Sequence, residues 1–173
     1  MKKKLLLTGA SGGIGFEILK FFLLKGYACS CLTSKKNTKL ARLKKKYRKQ
    51  ISIHIIDFSK KNWISKFENE MRSIKKFDTL VNCAGINIIK KINDVNFKDY
   101  SKIFKINLES YYFISKILIP KLIKSKSPRI VNISSIWSVI SKEERSLYSA
   151  TKGGINSLTR ALSLELAKHK ILV

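Results

Sequence analysis

The sequence predicts an α/β fold in which a doubly wound parallel sheet lies between two layers of helices, as a three-layer α/β/α arrangement. Two observations predict it. Short apolar or β-branched runs alternate along the whole chain with longer segments of helical periodicity. A glycine cluster, Gly9–Gly15, also follows the first apolar run and opens a helix. Alternating strands and helices are typical of βαβ units with helices on both faces. Since no linker or internal repeat interrupts the pattern, residues 1–173 are expected to form one domain.

The apolar pattern sets the expected order of elements. Strands are expected at 4–8, 28–32, 51–56, 79–82 and 129–133, and helices at 40–49, 63–74, 97–124 and 148–168. A further apolar-periodic helix follows the glycine cluster, with one side formed by Ile14, Ile18, Phe21 and Phe22. It is expected to end near Gly26, because glycine commonly terminates a helix.

Two features mark the second half of the chain. Pro120 lies within the long helical region 97–124 and is expected to kink it or to mark its last turn. The last three residues, 171–173, are apolar and are interpreted as the start of another strand.

The chain is strongly basic, which raises the question of a polyanionic partner. Its 36 Lys and Arg residues against 11 Asp and Glu give a net charge of +25. Such a charge favours nucleic acid or an acidic carrier protein as partner. However, most of the basic residues are lysines spread over the whole chain, together with abundant Ile and Asn, which is typical of a genome-wide compositional bias. Because no zinc-finger, RNP-like or basic-zipper pattern accompanies the charge, a nucleic-acid partner is not favoured.

Cysteine and histidine usage points to a reduced protein without a metal centre. Cys29 and Cys31 are two residues apart on an expected strand and so share one face, where reduced core thiols of a cytosolic protein are expected. His54 and His169 lie far apart in sequence, which gives a metal site little support. The apolar run after Lys2–Lys4 is too short for a signal peptide or a membrane span, so a cytoplasmic protein without membrane contact is expected.

The glycine cluster occupies the position of a phosphate-binding turn. Glycines at the end of a first strand permit a tight turn and a close approach of backbone N–H groups to a diphosphate. The helix that follows adds the partial positive charge of its N-terminus. A Rossmann-type dinucleotide site is therefore expected, with cofactor contacts from Gly9, Ser11, Gly13, Ile14 and Gly15.

The end of the second expected strand indicates which dinucleotide is bound. An acidic residue there selects NAD, whereas basic or small polar residues accept the 2′-phosphate of NADP. The chain has Thr33, Ser34 and Lys35 at this position, and no acidic residue between Glu17 and Asp57. NADP(H) is therefore the preferred cofactor, with NAD(H) as the other candidate.

A tyrosine and a lysine provide the candidate chemistry. Tyr148 and Lys152 are four residues apart on an expected helix and so lie on one face. The segment 132–135, with sequence Asn-Ile-Ser-Ser, follows a strand at the edge of the sheet where open α/β folds bind ligands. With the glycine turn and Asn82-x-Ala84-Gly85, this combination resembles the short-chain dehydrogenase/reductase family in its single-domain form. The resemblance runs from about Lys4 to Val173.

The resemblance implies a role for each catalytic position. Tyr148 would be the acid/base that exchanges a proton with the substrate oxygen. Ser135, which fits the family's spacing better than Ser134, would hydrogen-bond the substrate carbonyl. Lys152 would bind the nicotinamide ribose and assist proton release from the tyrosine, and Asn107 would hold a water of a proton relay.

The resemblance also extends the cofactor site. Asp57 would contact the adenine, and Asn82, Ala84 and Gly85 would lie near the adenosine ribose. Cys83 replaces an Asn that is frequent in the family, and Ser138 stands where Gly is common. Neither departure removes a catalytic group.

Relatives in this family continue beyond the equivalent of Val173, so the domain is expected to be incomplete at its C-terminus and to lack its last strand or strands. The implied function is an NAD(P)-dependent oxidoreductase that interconverts a secondary alcohol and a ketone. A 3-oxoacyl group on an acyl carrier protein, a sugar and another small ketone are all candidate substrates. The alternative is a non-catalytic dinucleotide-binding protein or an inactive truncated remnant. A homodimer through the helical regions 97–124 and 148–168 is also implied.

Overall fold

The computed structural model describes residues 2–173. The strands are β1 (Lys4–Thr8), β2 (Ala28–Thr33), β3 (Ile51–Ile55), β4 (Thr79–Asn82) and β5 (Arg129–Asn132). The α-helices are α1 (Gly13–Leu24), α2 (Thr38–Lys46), α3 (Trp63–Met71), α4 (Phe97–Phe104), α5 (Ser110–Leu122) and α6 (Ser146–Leu166). A π-helical segment, Lys105–Glu109, joins α4 to α5, and short 3₁₀ turns occur at Ile92–Asp94, Ile136–Ser138 and Ala167–His169.

The five strands form one parallel sheet in the order β3-β2-β1-β4-β5, as the alternation of strands and helices predicts. The direction of winding reverses between β1 and β4. Ligands of open α/β sheets bind at such a switch point, beyond the carboxyl ends of the strands. Leu172 forms an isolated parallel bridge to Arg129 beside β5, at the position where the sequence predicts a further strand.

Both faces of the sheet are covered. Successive residues of β1 point to opposite faces, so Leu6 packs into one core and Leu5 and Leu7 into the other. The first core is completed by α3, α5 and α6, and the second by α1 and α2. This arrangement confirms the predicted three layers.

The expected apolar side of α1 is partly wrong, because only Ile18 and Phe22 of its four residues pack against the second core. Ile14 and Phe21 are 63% and 55% exposed, and the residues that α1 buries are Gly15, Leu19 and Leu23. The cause is Gly15, where an added Cβ would lie 2.2 Å from the carbonyl oxygen of Gly9. This backbone contact fixes the rotation of the helix, and positions four and eight residues further along then face the core.

Two helices have other limits than the apolar pattern predicts, because specific side chains fix one end of each. The α2 helix begins at Thr38, where the side chain of Asn37 accepts a hydrogen bond from the N–H of Leu40. The α3 helix ends at Met71 instead of residue 74. There Lys121 Nζ donates to the carbonyl oxygens of Met71 and Ile74, at 2.7 and 2.6 Å.

The later helices follow the prediction more closely. Pro120 lies in the last turn of α5, which is one of the two expected outcomes. The α6 helix begins two residues before the predicted start and ends at Leu166, two residues early. Within residues 2–173, no helix combines the length and the apolar character that crossing a membrane requires.

Candidate active site

A cleft of about 580 Å³ opens at the carboxyl ends of the strands, at the switch point. The structure brings together twelve residues that the sequence assigns to the site: Gly9, Ser11, Gly13, Ile14, Gly15, Thr33, Ser34, Asp57, Ala84, Gly85, Tyr148 and Lys152. Four other assigned residues are not part of the cleft lining, namely Lys35, Asn82, Asn107 and Ser135. Further lining residues, to which the sequence assigns no role in the site, include Phe58, Cys83, Ile133 and Ser134.

The glycine turn is packed so closely that side chains are excluded at two positions. Gly9 has φ +69°, and a Cβ there would lie 2.8 Å from the Cα of Ala84. A Cβ on Gly15 would collide with Gly9, as described above. Gly13 has φ +51°, in the left-handed region that favours glycine. The turn therefore brings β1, the start of α1 and the loop after β4 into backbone contact.

The start of α1 is built to receive an anion. Its N-cap residue is Gly12, so no side chain satisfies the free N–H groups of the first turn, and that turn contains no acidic residue. Gly9 and Ala10 are held in place by donating to the carbonyl oxygen of Leu32, at 3.1 and 3.4 Å. The exposed N–H groups and the positive helix end face the same cleft, which fits the diphosphate of a dinucleotide.

Thr8, the last residue of β1, connects the two halves of the sheet beneath the cleft. It is fully buried, and its hydroxyl oxygen accepts from the N–H groups of Cys83 and Ala84, each at 2.9 Å. This pair of bonds fixes the loop after β4 against the glycine turn. A buried threonine before a glycine cluster is the sequence signal for such a role, although the sequence did not assign Thr8 to the site.

At the far end of the cleft, the loop after β2 presents small polar groups. Thr33 is buried and its hydroxyl donates to the carbonyl oxygen of Lys35, at 3.0 Å, whereas Ser34 is exposed. Asp57 accepts from the N–H and the hydroxyl of Ser59, at 2.9 and 2.7 Å. Burial alone would raise the pKa of Asp57, but these hydrogen bonds outweigh it and lower the pKa below its usual range. An ionised carboxylate at this end suits a hydrogen-bond donor such as the adenine amino group.

Lys152 is the cationic group of the cleft. It is 4% exposed, and its Nζ donates to the carbonyl oxygen of Ile133 at 2.8 Å. The ammonium lies 5.7 Å from the ring centre of Tyr148 and 5.6 Å from that of Tyr111. Burial lowers the pKa of Lys152, and the neighbouring Cys83 partly opposes this effect. A positive charge therefore lies beside the tyrosine in a partly desolvated position.

Tyr111 is a neighbour that the sequence reasoning missed. Its side chain is fully buried, its hydroxyl donates to the carbonyl oxygen of Ile133 at 3.3 Å, and burial raises its pKa. The same carbonyl thus accepts from both Tyr111 and Lys152. The sequence spacing could have identified Tyr111, since it follows Asn107 by four residues on a helical segment and so lies on the same face.

Asn107 lies in the π-helical segment between α4 and α5 and is fully buried. Its Oδ1 accepts from the N–H of Ile86 at 2.8 Å, and its Nδ2 donates to the carbonyl oxygen of Ile86 at 2.9 Å and to Thr151 Oγ1 at 3.2 Å. Thr151 is adjacent to Lys152, so Asn107 connects the loop after β4 to the helix that carries the lysine. Its role in holding a water stays a prediction.

Of the two serines that follow β5, only Ser134 lines the cleft. Its hydroxyl donates to the carbonyl oxygen of Lys152 at 3.3 Å. Ser135 is the N-cap of the 3₁₀ turn Ile136–Ser138, and its Oγ accepts from the N–H of Trp137 at 3.3 Å. The predicted contact of Ser135 with a substrate carbonyl requires its hydroxyl hydrogen to point outward, which this acceptor role permits.

Asn82 lies below the cleft floor and is fully buried. Its Nδ2 donates to Asn132 Oδ1 at 2.9 Å and to Ser115 Oγ at 3.3 Å, whereas its Oδ1 has no hydrogen-bond partner. The side chain therefore joins β4 to β5 and α5. Asn82 is not among the residues that line the cleft, so its predicted position near the adenosine ribose stays a prediction.

Comparison with known proteins agrees with this geometry. The model of the short chain dehydrogenase family matches residues 3–173. The chain is 30% identical to the 3-oxoacyl-[acyl-carrier-protein] reductase FabG of Chlamydia trachomatis, over 100% of the chain and 71% of that protein. It is 29% identical to the NAD-dependent glycerol dehydrogenase of Listeria innocua, over 99% of the chain and 67% of that protein.

A solved structure has the same fold. The short-chain dehydrogenase from Streptomyces avermitilis superposes with a TM-score of 0.91 at 25% identity, over 99% of the chain and 64% of that protein. The chain thus spans roughly two thirds of the length of the proteins that it matches.

Proposed function

We propose, from the premise that this chain belongs to the short chain dehydrogenase family, that it carries the cofactor-binding and proton-transfer groups of an NADP(H)-dependent oxidoreductase. The reaction interconverts a secondary alcohol and a ketone. One observation carries the proposal: a single cleft holds both the uncapped glycine turn and the pair Tyr148 and Lys152. A site for dinucleotide binding alone would not need a phenol and a buried ammonium at its other end.

The bound dinucleotide would supply the hydride chemistry, and the chain's residues would supply position and charge. The N–H groups at the start of α1 bind the diphosphate. The hydroxyl of Tyr148 gives a proton to the carbonyl oxygen during reduction and takes it back during oxidation. The ammonium of Lys152 places positive charge beside this proton transfer, where negative charge develops on oxygen. Ser135 donates a hydrogen bond to the same substrate oxygen.

NADP(H) is the proposed cofactor because of the groups at the end of β2. Thr33 and Ser34 line the cleft, Lys35 follows them, and no acidic residue lies between Glu17 and Asp57. Small polar and basic groups accept a 2′-phosphate, whereas a carboxylate would repel it. NAD(H) remains the second candidate, since the similar protein from Listeria innocua is NAD-dependent.

For the substrate we propose a 3-oxoacyl group attached to an acidic carrier protein. The net charge of +25 complements an acidic partner and would accelerate its association. The similar protein from Chlamydia trachomatis is named for this reaction. A small ketone or sugar is the second candidate, in line with the glycerol dehydrogenase from Listeria innocua.

We also propose that the protein is a cytoplasmic homodimer. Exposed aromatic side chains lie on one of the two helical regions expected to pair, 97–124, where Phe97, Tyr100 and Tyr112 are 82%, 44% and 51% exposed. Large exposed apolar side chains that lie close together are typical of protein interfaces. The buried unpaired thiols of Cys29 and Cys31 support a reducing compartment.

The proposal is tested with Tyr148→Phe, which removes only the hydroxyl. We expect NADPH affinity to stay within about twofold and reduction of a 3-oxoacyl thioester or a small ketone to fall by about 10²-fold or more, because no other group replaces the proton donor. Tyr112→Phe is the matched control, since Tyr112 lies outside the cleft lining and is half exposed. Retained turnover in Tyr148→Phe would contradict the mechanism. Cofactor binding without turnover by the wild type on all of these substrates would support the non-catalytic alternative.

A further inference from the structure

The side chain of Asn37 makes two hydrogen bonds to different parts of the cofactor-binding region. Its Oδ1 accepts from the N–H of Leu40 at 3.0 Å and caps α2. Its Nδ2 donates to the carbonyl oxygen of Ser11 at 3.2 Å, although Ser11 is 26 positions away in sequence. The first bond stabilises a helix end, as many asparagines do. The second bond reaches the middle of the glycine turn.

The glycine turn depends on such a contact, because its sequence does not restrict it. Glycine occupies positions 9, 12 and 13 and loses more conformational freedom on ordering than any other residue. The start of the turn is held by the bonds from Gly9 and Ala10 to Leu32, and its end by the bond from the N–H of Phe16 to the carbonyl oxygen of Gly12. Between these two points, the bond from Asn37 holds the carbonyl of Ser11.

Holding this carbonyl also orients an N–H group. The peptide bond between Ser11 and Gly12 is planar and trans, so its C=O and N–H point in opposite directions. When the oxygen of Ser11 is fixed against Asn37, the direction of the Gly12 N–H is fixed as well. Both Ser11 and Gly12 line the cleft, whereas Asn37 does not.

We propose that Asn37 is a positioning residue for the cofactor diphosphate: its amide holds the glycine turn in the conformation that binds the ligand. The inference rests on the proposed dinucleotide function and deepens it. Asn37 acts on the diphosphate through Ser11 and Gly12 and does not touch the ligand itself. Because NADPH and NADH share the diphosphate, loss of the amide donor weakens both by the same factor.

The test is Asn37→Ser, which keeps a good N-cap acceptor and removes the amide donor. Binding of NADPH and NADH is followed by cofactor fluorescence, adenosine 2′-monophosphate is measured by competition, and unfolding is followed by heat. We expect both cofactors to bind about three- to tenfold more weakly, the effect of one hydrogen bond. Adenosine 2′-monophosphate, which has no diphosphate, should bind as it does to the wild type, and Tm should change by less than about 2 °C.

Asn96→Ser is the matched control. Asn96 caps α4 through its Oδ1, which accepts from the N–H of Asp99 at 2.9 Å, and it does not line the cleft. Its variant should bind all three ligands like the wild type. If Asn37→Ser folds poorly, Asn37→Thr provides the same test, since it also keeps a cap acceptor and lacks the amide donor without adding a charge, and its loss of affinity should be similar.

The outcomes separate this inference from the function on which it rests. Wild-type affinity for both cofactors in Asn37→Ser would overturn the positioning role and leave the proposed function intact. A loss confined to NADPH and adenosine 2′-monophosphate would also overturn it, because the residue would then act at the 2′-phosphate. A wild-type protein that binds neither cofactor would overturn the proposed function and this inference with it.

Discussion

Replacing Gly15 with alanine is the sharpest test of how the glycine turn is built. The added Cβ would lie 2.2 Å from the carbonyl oxygen of Gly9 and 2.9 Å from its carbonyl carbon. Contacts below 3.0 Å are essentially never made by a Cβ, so the turn and α1 must separate by about 0.8 Å. Both partners are backbone groups in a close-packed region, and neither can swing away as a side chain would.

The expected magnitude follows from two opposing effects. Inserting a methyl group into a packed site costs about 1–3 kcal/mol. Alanine stabilises a helix by about 0.5–1 kcal/mol relative to glycine, which offsets part of this cost. A net loss of about 0–2.5 kcal/mol in the free energy of unfolding corresponds to a fall in Tm of about 0–10 °C for a chain of this size. Because the N–H groups of the turn also shift, affinity for NADPH should fall by about tenfold or more.

Thermal unfolding and fluorescence titration with NADPH measure both effects. Gly153→Ala is the control, because Gly153 lies in α6, has no positive φ, and an added Cβ would meet nothing within 4 Å. That variant should gain stability, by the helix propensity of about 0.5–1 kcal/mol, and bind NADPH unchanged. If Gly15→Ala melts at or above the wild-type temperature and binds NADPH normally, the close packing of the turn is not what excludes a side chain there.

Two further predictions concern the buried polar groups around the cleft. Burial lowers the pKa of Lys152 in the folded protein. At pH values between this lowered pKa and the ordinary lysine pKa of about 10.4, the unfolded chain binds more protons than the folded chain. The free energy of unfolding of the wild type therefore rises with pH in this range. The Tm of the wild type should therefore rise relative to that of Lys152→Met between about pH 7 and pH 10. A difference in Tm that does not change with pH would contradict a lowered pKa of Lys152. Asn107→Ala removes the partners of the Ile86 N–H and carbonyl, which should cost about 2–4 kcal/mol and lower Tm by about 4–16 °C. A fall of less than about 2 °C in thermal unfolding would show that Asn107 does not hold the loop after β4.

The fold was readable from the sequence because each element carries its own local pattern. Periodicity and turn residues are local, so the strand at Thr79–Asn82 is found with its exact limits, and the order of elements determines the parallel sheet. The buried side of α1 was readable only in part, because it depends on a contact between Gly15 and Gly9 that exists only after the turn has closed. The end of α3 likewise depends on Lys121, 50 residues from Met71.

The candidate site also contains parts that the local sequence predicts and parts that depend on distant contacts. The glycine turn and the pair Tyr148 and Lys152 are recognisable because their spacing is short and falls on one turn or one helix face. The π-helical segment around Asn107 is not recognisable, since it is held by bonds to Ile86 and Thr151 from distant parts of the chain. The same holds for Asn37, whose local pattern indicates only a helix cap.

The unusual charge of the chain and its candidate chemistry lie in different places. Of the 36 Lys and Arg residues, Lys152 is the sole one that lines the cleft within residues 2–173. That lysine is held by a backbone atom, because its Nζ donates to the carbonyl oxygen of Ile133. Lysine can therefore accumulate on the surface without altering the cleft, because the cleft itself contains one basic side chain. The basic surface thus lies apart from the cleft, as the proposed association with an acidic carrier protein requires.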